Sequence, residues 1–213
     1  MLELRTYTRA EITAILGTIN RQGIMRKLDG YGIEYNIEGW GNFTLTITAI
    51  NDPFKVFCIT ELGIPAQADF TKIRDLYYYL FCCPGFAEQS IESMAQILDD
   101  DNRTISSKTI AKWVAHLRHI DYVAFDKEDC KYYAITKTAD GRRESTEITA
   151  EVYRGGWQIY WNQKAEHGTQ SAYLYMYNFV GGHPKKQAIM KPNAFYITQI
   201  NYMIDLLEQS FMK

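Results

Sequence analysis

The stretch best suited to binding chemistry runs from residue 107 to residue 118, where basic and small side chains recur at helical spacing. One side of the predicted helix is apolar and has the i, i+3, i+4, i+7 spacing of a buried stripe, formed by Ile110, Trp113, Val114 and Leu117. The other side carries Ser107, Lys108 and Lys112 between alanines. Lysines neutralise phosphates, a serine hydroxyl can donate to a phosphate or a base edge, and alanines let the backbone come close. The pattern indicates a helix that binds nucleic acid.

The charges around this helix are sorted by sign. Ser106 is suited to the N-cap, because its hydroxyl can accept a hydrogen bond from an unpaired backbone N–H. Between Asn102 and Ile120 there is no Asp or Glu, while acidic residues stand just outside, at 99–101 and 121. The basic residues inside this window are Arg103, Lys108, Lys112 and Arg118.

Further elements are predicted on both sides to position this helix. A shorter helix precedes it, with an apolar side formed by Ile91, Met94, Ala95 and Leu98, and another spans 69–81 and ends before Pro84-Gly85. Downstream, the β-prone runs 122–125 and 132–135 flank a polar link. We interpret that link, which carries Lys127 and Lys131, as a hairpin loop.

The order helix, turn, helix, hairpin resembles the winged-helix superfamily. The resemblance covers residues 69–137 and depends chiefly on the pattern S-x-x-T-I-x-x-W-x-x-x-L that begins at Ser106. It implies that the second helix enters a DNA major groove. Contacts are then expected from Arg103, Ser107, Lys108, Lys112 and Arg118, with Lys127 or Lys131 on the wing. A winged helix that binds protein instead of DNA remains an alternative.

A weaker copy of this arrangement is predicted at the front of the chain. Thr8 and Glu11 have the spacing of a capping box, and Gly17 ends the helix that follows. A second helix over 21–28 would present Arg21, Gln22 and Arg26, and two strands follow around the turn-rich stretch 39–42. The pattern is similar to helix-turn-helix repressors and excisionase-type proteins. The alternative is a small α+β module packed for structural reasons.

The rest of the chain is predicted as a linker and a helical extension. Residues 51–68 are interpreted as a linker, with one possible strand at 56–59. A polar link at 139–144 ends the second module, and 141–213 reads as an aromatic-rich helical region. There we expect a helix over 147–163 interrupted at Gly155-Gly156, an ambiguous stretch at 172–179, a surface turn at 180–187 and an amphipathic helix over 193–211. The last helix would pack on the body of the protein or pair with a second copy.

Composition excludes several classes of function. A formal net charge of −2 argues against a protein that coats nucleic acid without sequence preference, although a local basic patch remains possible. The four cysteines lack the spacing of a zinc site, so we expect reduced thiols, no metal and no cofactor. There is no apolar run of about 20 residues, no apolar leader and no catalytic motif. We therefore expect a cytoplasmic protein that is neither an enzyme nor bound to membranes.

Together these patterns predict a helix-rich α+β fold with two tandem winged-helix-like modules and a C-terminal helical extension. The predicted domains are a front module at 1–50, the linker at 51–68, a winged-helix domain at 69–140 and the region 141–213. The predicted function is sequence-selective binding of double-stranded DNA by a transcriptional regulator. Phage and plasmid replication initiators resemble this tandem arrangement and are the first alternative, and a protein-interaction module without DNA binding is the second. A homodimer formed through the last helix would place two recognition helices one duplex turn, ~34 Å, apart.

Overall fold

The computed structural model describes residues 2–212, except for the side chains of Asp126 and Lys127. The DNA contact predicted at Lys127 therefore lies outside the described residues. The fold is α+β with two small antiparallel sheets, and the chain divides into two compact units. The first unit comprises the residues up to Arg74 together with those from Asn201 onward, and the second unit comprises Asp75 to Ile200.

The first unit holds a three-stranded sheet with the strand order β1-β3-β2. Its core is a cluster of buried aliphatic and aromatic side chains that includes Tyr7, Ile24 and Leu45. The elements are β1 (Thr6–Thr8), α1 (Arg9–Leu16), α2 (Arg21–Tyr31), β2 (Ile33–Glu38), β3 (Thr44–Ile50), α3 (Pro53–Thr60) and the start of α4 (Phe70–Cys82).

Local signals set the ends of α1 and α2. The predicted capping box of α1 is confirmed, since Thr8 and Glu11 cap each other's backbone N–H groups. Gly17 ends α1 at a φ of 61°, a left-handed conformation that glycine adopts without strain. Asn20 caps α2, and its side chain accepts from the N–H of Gln22.

Residues 51–68 do not form an open linker, and the strand expected at 56–59 is wrong. They lie within the first unit and contain α3, whose Phe54, Phe57 and Cys58 are buried. Asp52 caps this helix by accepting from the N–H of Lys55, and Pro53 occupies its first turn. An Asp-Pro pair at a helix start is a known signal, and it outweighs the β propensity of the residues that follow.

The second unit is a three-stranded sheet with helices on its faces, and its strand order is β5-β4-β6. On one face, α5 approaches the sheet, and Lys185 donates to Glu92 at 2.9 Å. On the other face, Ala134 packs with Met176 and Val180. The elements after α4 are α5 (Ile91–Asp100), α6 (Ser107–His119), β4 (Val123–Lys137), β5 (Arg143–Ile148), α7 (Ala150–Val180) and β6 (His183–Pro192).

The hairpin predicted around residues 126–131 is wrong. Except for Tyr122, both β-prone runs belong to the single long strand β4, which pairs with β6 from Val123 opposite Pro192 to Ile135 opposite His183. A register shift between residues 126 and 130 accommodates the polar link within the strand. The observed hairpin joins β4 to β5 through residues 138–142, and the residues expected to form a surface turn from 183 onward form β6 instead.

Helix α7 is broken at Gly168 and not at the predicted Gly155-Gly156. Gly168 has a φ of 75° and a ψ of 171°, far from helical values. A Cβ added to Gly156 would lie 2.4 Å from Cγ2 of Val180. In a straight helix these residues would be ~36 Å apart, so the chain must fold back at Gly168. The ambiguous residues 172–179 are helical. The helix predicted to begin at residue 147 begins instead at Ala150, because residues 143–148 form β5.

The last helix, α8 (Ile197–Phe211), packs on its own chain. Its apolar side is buried at Met203, Leu206 and Leu207, and the ring of Tyr202 lies 5.7 Å from that of Phe57 in α3. The sequence left open whether this side packs on the protein or pairs with a second copy, and the fold uses it for packing. A homodimer formed through this helix stays a prediction. Within residues 2–212, no helix is both long enough and apolar enough to span a bilayer.

Candidate nucleic-acid interface

Helix α6 presents the two sides that its sequence predicts. The Ser106 hydroxyl accepts from the N–H of Thr109 at 3.2 Å and fixes the first turn. The apolar stripe is confirmed, with Ile110, Trp113, Val114 and Leu117 all buried. The outer side is exposed along its whole length and consists of Ser107, Lys108, Ala111, Lys112, Ala115 and Arg118.

The three basic side chains of this outer side are held differently. Nζ of Lys112 lies 4.4 Å from the centroid of the Trp113 ring, and the guanidinium of Arg118 lies 5.2 Å from that of Phe125. Aromatic faces attract cations without neutralising their charge, so neither ring contact offsets the positive charge of its partner. Lys108 makes no ion pair or hydrogen bond with any residue that the structure describes. The outer side of α6 is therefore a positively charged surface open to solvent.

The turn of the β4–β5 hairpin lies beside the start of α6. Residues 138–142 close the hairpin through a hydrogen bond from the N–H of Thr138 to the carbonyl of Arg142 at 3.0 Å, with Gly141 at a φ of 87°. Ser106, Ser107 and Arg142 line one cavity of about 470 Å³. Sequence reasoning placed the wing elsewhere and missed Arg142. The Asp140-Gly141 pair, a strong hairpin signal, could have identified the turn.

The acidic residues at 99–101 are engaged by neighbouring side chains. Asp99 lines the same cavity, accepts from the Thr104 hydroxyl at 3.2 Å and forms an ion pair with Arg142 at 3.7 Å. Asp101 accepts from the hydroxyl of Tyr79 at 2.5 Å. Burial, together with that hydrogen bond, raises the pKa of Tyr79 to about 12. Asp99 thus lies between the start of α6 and the hairpin turn, where Arg142 offsets its charge.

Two of the predicted contact residues have structural partners. Arg103 forms an ion pair with Asp75 and is not on the outer side of α6. Lys131 is not on a wing but in β4, with Nζ at 3.1 Å from Glu88 and 3.5 Å from Glu147. The hydrogen bond to Glu88 raises the pKa of Lys131, so the lysine stays charged within this cluster. Both side chains contribute to the packing of the second unit.

The first unit presents a smaller candidate surface on α2. Gln22 and Arg26 are exposed. Arg21 instead donates to the carbonyl of Gly39 at 2.9 Å and lies 5.3 Å from the ring centroid of Trp40, whose side chain is 90% exposed. This contact ties the start of α2 to the β2–β3 turn. Of the three predicted residues, Gln22 and Arg26 are the ones left on the open surface.

Glycine at position 23, which is unusual inside a helix, has a packing reason. A Cβ at this position would lie 2.9 Å from Oγ1 of Thr18, in the turn that joins α1 to α2. The glycine therefore lets the two helices approach through a short turn. Gly23 is therefore part of how this turn is built.

Cysteine and histidine side chains are not grouped for metal binding in the part of the chain that the structure describes. All four cysteines are free thiols, and no set of three or more His, Cys, Asp or Glu among the described side chains could hold a metal ion. Burial raises the pKa of the Cys58 thiol, which disfavours the reactive thiolate. His116 packs edge-on against Trp113 with ring centroids 5.8 Å apart.

Comparison of the chain with protein-family models, with characterised proteins and with solved structures finds no match. The resemblance to winged-helix proteins thus depends on the residues and on the order of the elements. Function has to be inferred from the side chains of this chain and their surroundings.

Proposed function

We propose that this protein binds double-stranded DNA sequence-selectively through the second unit and acts as a transcriptional regulator. One observation carries the proposal: α6 exposes Lys108, Lys112 and Arg118 on a side that contains no carboxylate. Its small residues, Ala111 and Ala115, leave room for close approach. At 13 residues, the helix is ~20 Å long, and a major groove ~12 Å wide admits it.

The order of elements supports this proposal in both units. In the second unit α5, a short turn, α6 and the β4–β5 hairpin follow one another, as in winged-helix proteins. In the first unit β1, α1, α2, β2 and β3 follow one another, with the strand order β1-β3-β2. A helix pair followed by a hairpin therefore occurs twice in the chain.

The proposed contacts divide into two kinds. Lys108, Lys112 and Arg118 would neutralise phosphates and hold the helix in register, while Ser107 in the first turn would reach base edges or a phosphate. Arg142 on the hairpin turn forms ion pairs with Asp99 at 3.7 Å and Asp140 at 3.1 Å, so the proposed contacts are limited to those of α6. Because the net charge is −2, binding would depend on this local surface and not on the overall charge.

The repeated arrangement also favours a second candidate, a replication initiator of a phage or plasmid. A chain with two such units could contact two successive segments of one duplex without dimerising. A regulator that binds as a dimer would instead require a second copy on a twofold-related half-site. The number of chains bound per site, measured together with the length of the protected DNA, separates the two candidates.

The test is fluorescence anisotropy of a labelled duplex at ~50 mM and ~200 mM salt. Three proteins are compared: the unmodified chain, Lys108→Ala/Lys112→Ala, and the control Lys72→Ala/Lys164→Ala. The control removes the same charge from α4, where Lys72 is exposed, and from α7, where Lys164 is half-buried beside the ring of Trp161. If each α6 lysine neutralises one phosphate, the double variant should lower the slope of log K against log salt by about 1.8 relative to the control.

The outcomes separate the function classes. Binding that weakens with salt, and that the α6 variant impairs more than the control, supports a DNA-binding α6. Equal loss in both double variants would mean that only net charge matters and would contradict the proposed role of α6. If the anisotropy of a labelled random-sequence duplex does not rise even at ~50 mM salt, DNA binding is refuted. Binding of a protein partner is then the next hypothesis to test.

A further inference from the structure

A second cavity in the second unit, about 650 Å³ in volume, is lined mainly by basic and aromatic side chains. It lies at the end of the sheet where β4 leads into the hairpin and where β6 begins. Residues from α5, α7 and all three strands contribute to it. The volume is within the ~300–1,000 Å³ range of small-ligand sites. The DNA-binding proposal assigns no role to this cavity.

Two cations face each other across the sheet at the cavity wall. Lys137 of β4 and Arg143 of β5 are directly opposed in the strand register, so their side chains lie on the same face. Like charges in this position destabilise a sheet. Neither side chain has an ion pair with any residue that the structure describes, although both line the cavity. A bound anion would turn this repulsion into a binding site.

A third cation in the cavity is fixed in place. Nζ of Lys185 lies 2.9 Å from Oε2 of Glu92, whose side chain is only 9% exposed. This carboxylate holds the lysine in position and is the only acidic side chain that lines the cavity in the described part of the chain. With three cations and one carboxylate, the lining has an excess of positive charge. Its chemistry fits an anion with several oxygens, such as a phosphate ester.

Aromatic side chains form the adjoining wall. The hydroxyl of Tyr173 lies 3.3 Å from Nδ1 of His183, and the rings of Tyr173 and Tyr177 are 6.1 Å apart. Both tyrosines come from α7, close to the strand that carries Lys185. Aromatic faces beside a cationic wall suit a ligand that joins a flat ring to phosphate groups.

We propose that this cavity binds a nucleoside phosphate. Its phosphates lie between Lys137, Arg143 and Lys185, and its base lies against Tyr173 and Tyr177. This site adjoins the cavity at the start of α6, because Glu92 and Arg143 line both, but the proposal does not depend on DNA binding. A phosphate of a nucleic acid strand could offer the same anion, so the experiment includes both sources.

The test is isothermal titration calorimetry of the full chain with ATP, inorganic triphosphate, adenosine and a short oligo(dT) strand in separate runs. ATP should bind at one site per chain, triphosphate more weakly, and adenosine too weakly to detect. Lys137→Ala/Arg143→Ala should weaken ATP binding by at least about tenfold, because each charge-assisted contact to a phosphate is strong. The control Lys186→Ala/Lys191→Ala removes two charges from β6 outside the cavity and should leave ATP affinity unchanged.

Three results would overturn the proposal. One is the absence of saturable heat with ATP up to ~1 mM, since weaker binding is too poor to define a site. Another is equal ATP affinity in the cavity variant and its control. The third is that the chain binds oligo(dT) but not ATP, and that the cavity variant abolishes this binding. Lys137 and Arg143 would then contact a nucleic acid backbone. Circular dichroism of both variants shows that they are folded before any loss is interpreted.

Discussion

Replacing Gly156 by alanine tests whether α7 folds back on itself. In an isolated helix the change would stabilise, because alanine is better than glycine in a helix interior by about 1 kcal/mol. In this structure the new Cβ would lie 2.4 Å from Cγ2 of Val180, well inside the ~3.5–4.0 Å at which carbon atoms are in contact. Val180 is 6% exposed and cannot turn away into solvent.

The steric cost outweighs the gain in helix propensity. Overpacking of a core by one methyl group costs about 1–3 kcal/mol. With the propensity gain subtracted, Gly156→Ala should lower the free energy of unfolding by up to about 2 kcal/mol. Gly155→Ala is the matched control, because its Cβ would meet only the ring of Phe179, at 3.2 Å. That ring is 52% exposed and can shift, so Gly155→Ala should be neutral or stabilise by up to about 1 kcal/mol.

The assay is urea unfolding monitored by tryptophan fluorescence, since Trp157 lies close to both glycines on α7. Because the chain has two units, no global free energy is used. The comparison uses the midpoint of the transition whose fluorescence amplitude decreases in Trp157→Phe. Val180→Ala should restore most of the stability lost in Gly156→Ala, with a coupling of at least about 1 kcal/mol. If both glycine variants stabilise α7 equally, residues 156 and 180 are not in contact and the fold-back at Gly168 is refuted.

Three further predictions concern single groups. The backbone N–H of Thr8 lowers the pKa of Glu11 from 4.5 to about 2, so its stabilisation is complete above pH 4.5 and is lost as the pH falls towards 2. In Glu11→Gln, the free energy of unfolding, measured by urea titration, should therefore fall less between pH 4.5 and 2 than in the unmodified chain. An unchanged pH dependence would contradict the capping role. Burial raises the pKa of the Cys58 thiol. In a variant that keeps Cys58 as its only cysteine, this thiol should react with a disulfide reagent only as fast as the first unit opens. Reaction at the rate of an exposed thiol would disprove its burial. Lys137→Glu places opposite charges across β4 and β5 and should raise stability by about 0.5 kcal/mol at low salt, a gain that ~1 M salt removes. No gain at low salt would mean that Lys137 and Arg143 do not face each other.

Short-range patterns in this sequence predicted local structure well. The stripe of Ile110, Trp113, Val114 and Leu117 fixes which side of α6 is buried, because the period of a helix alone decides it. The capping box at Thr8 and the helix end at Gly17 follow from residues within one turn of each other. In each case the interacting groups are neighbours in the chain.

Long-range pairing could not be predicted in the same way. The partner of Ile135 in β6 is His183, almost fifty residues away, and nothing near residue 135 indicates it. Two β-prone runs with a polar link between them therefore suggested a hairpin, while the structure joins them in one strand. Likewise, Gly155 and Gly156 look like helix breakers until Phe179 and Val180 are seen to pack against them. The two glycines lack a side chain because Phe179 and Val180 occupy that space, and the sequence does not reveal this contact.

The basic residues of the second unit differ in whether a neighbour already offsets their charge. Arg103 is paired with Asp75, and Lys131 lies between Glu88 and Glu147, so both stabilise the fold. The sequence alone could not separate these cations from Lys108, whose surroundings contain no carboxylate partner among the described residues. The structure therefore narrows the predicted contact set to side chains that leave a positive charge for a ligand.

The two proposed sites meet at the β4–β5 hairpin. Arg142 on its turn lines a cavity with the start of α6, while Lys137 and Arg143 at its base line the cavity proposed for a nucleoside phosphate. A ligand that neutralises the base of the hairpin would hold the turn more firmly beside α6. If both proposals hold, thermodynamic linkage requires that nucleotide changes DNA affinity by the same factor as DNA changes nucleotide affinity. Equal DNA affinity with and without saturating ATP would show that the two sites act independently.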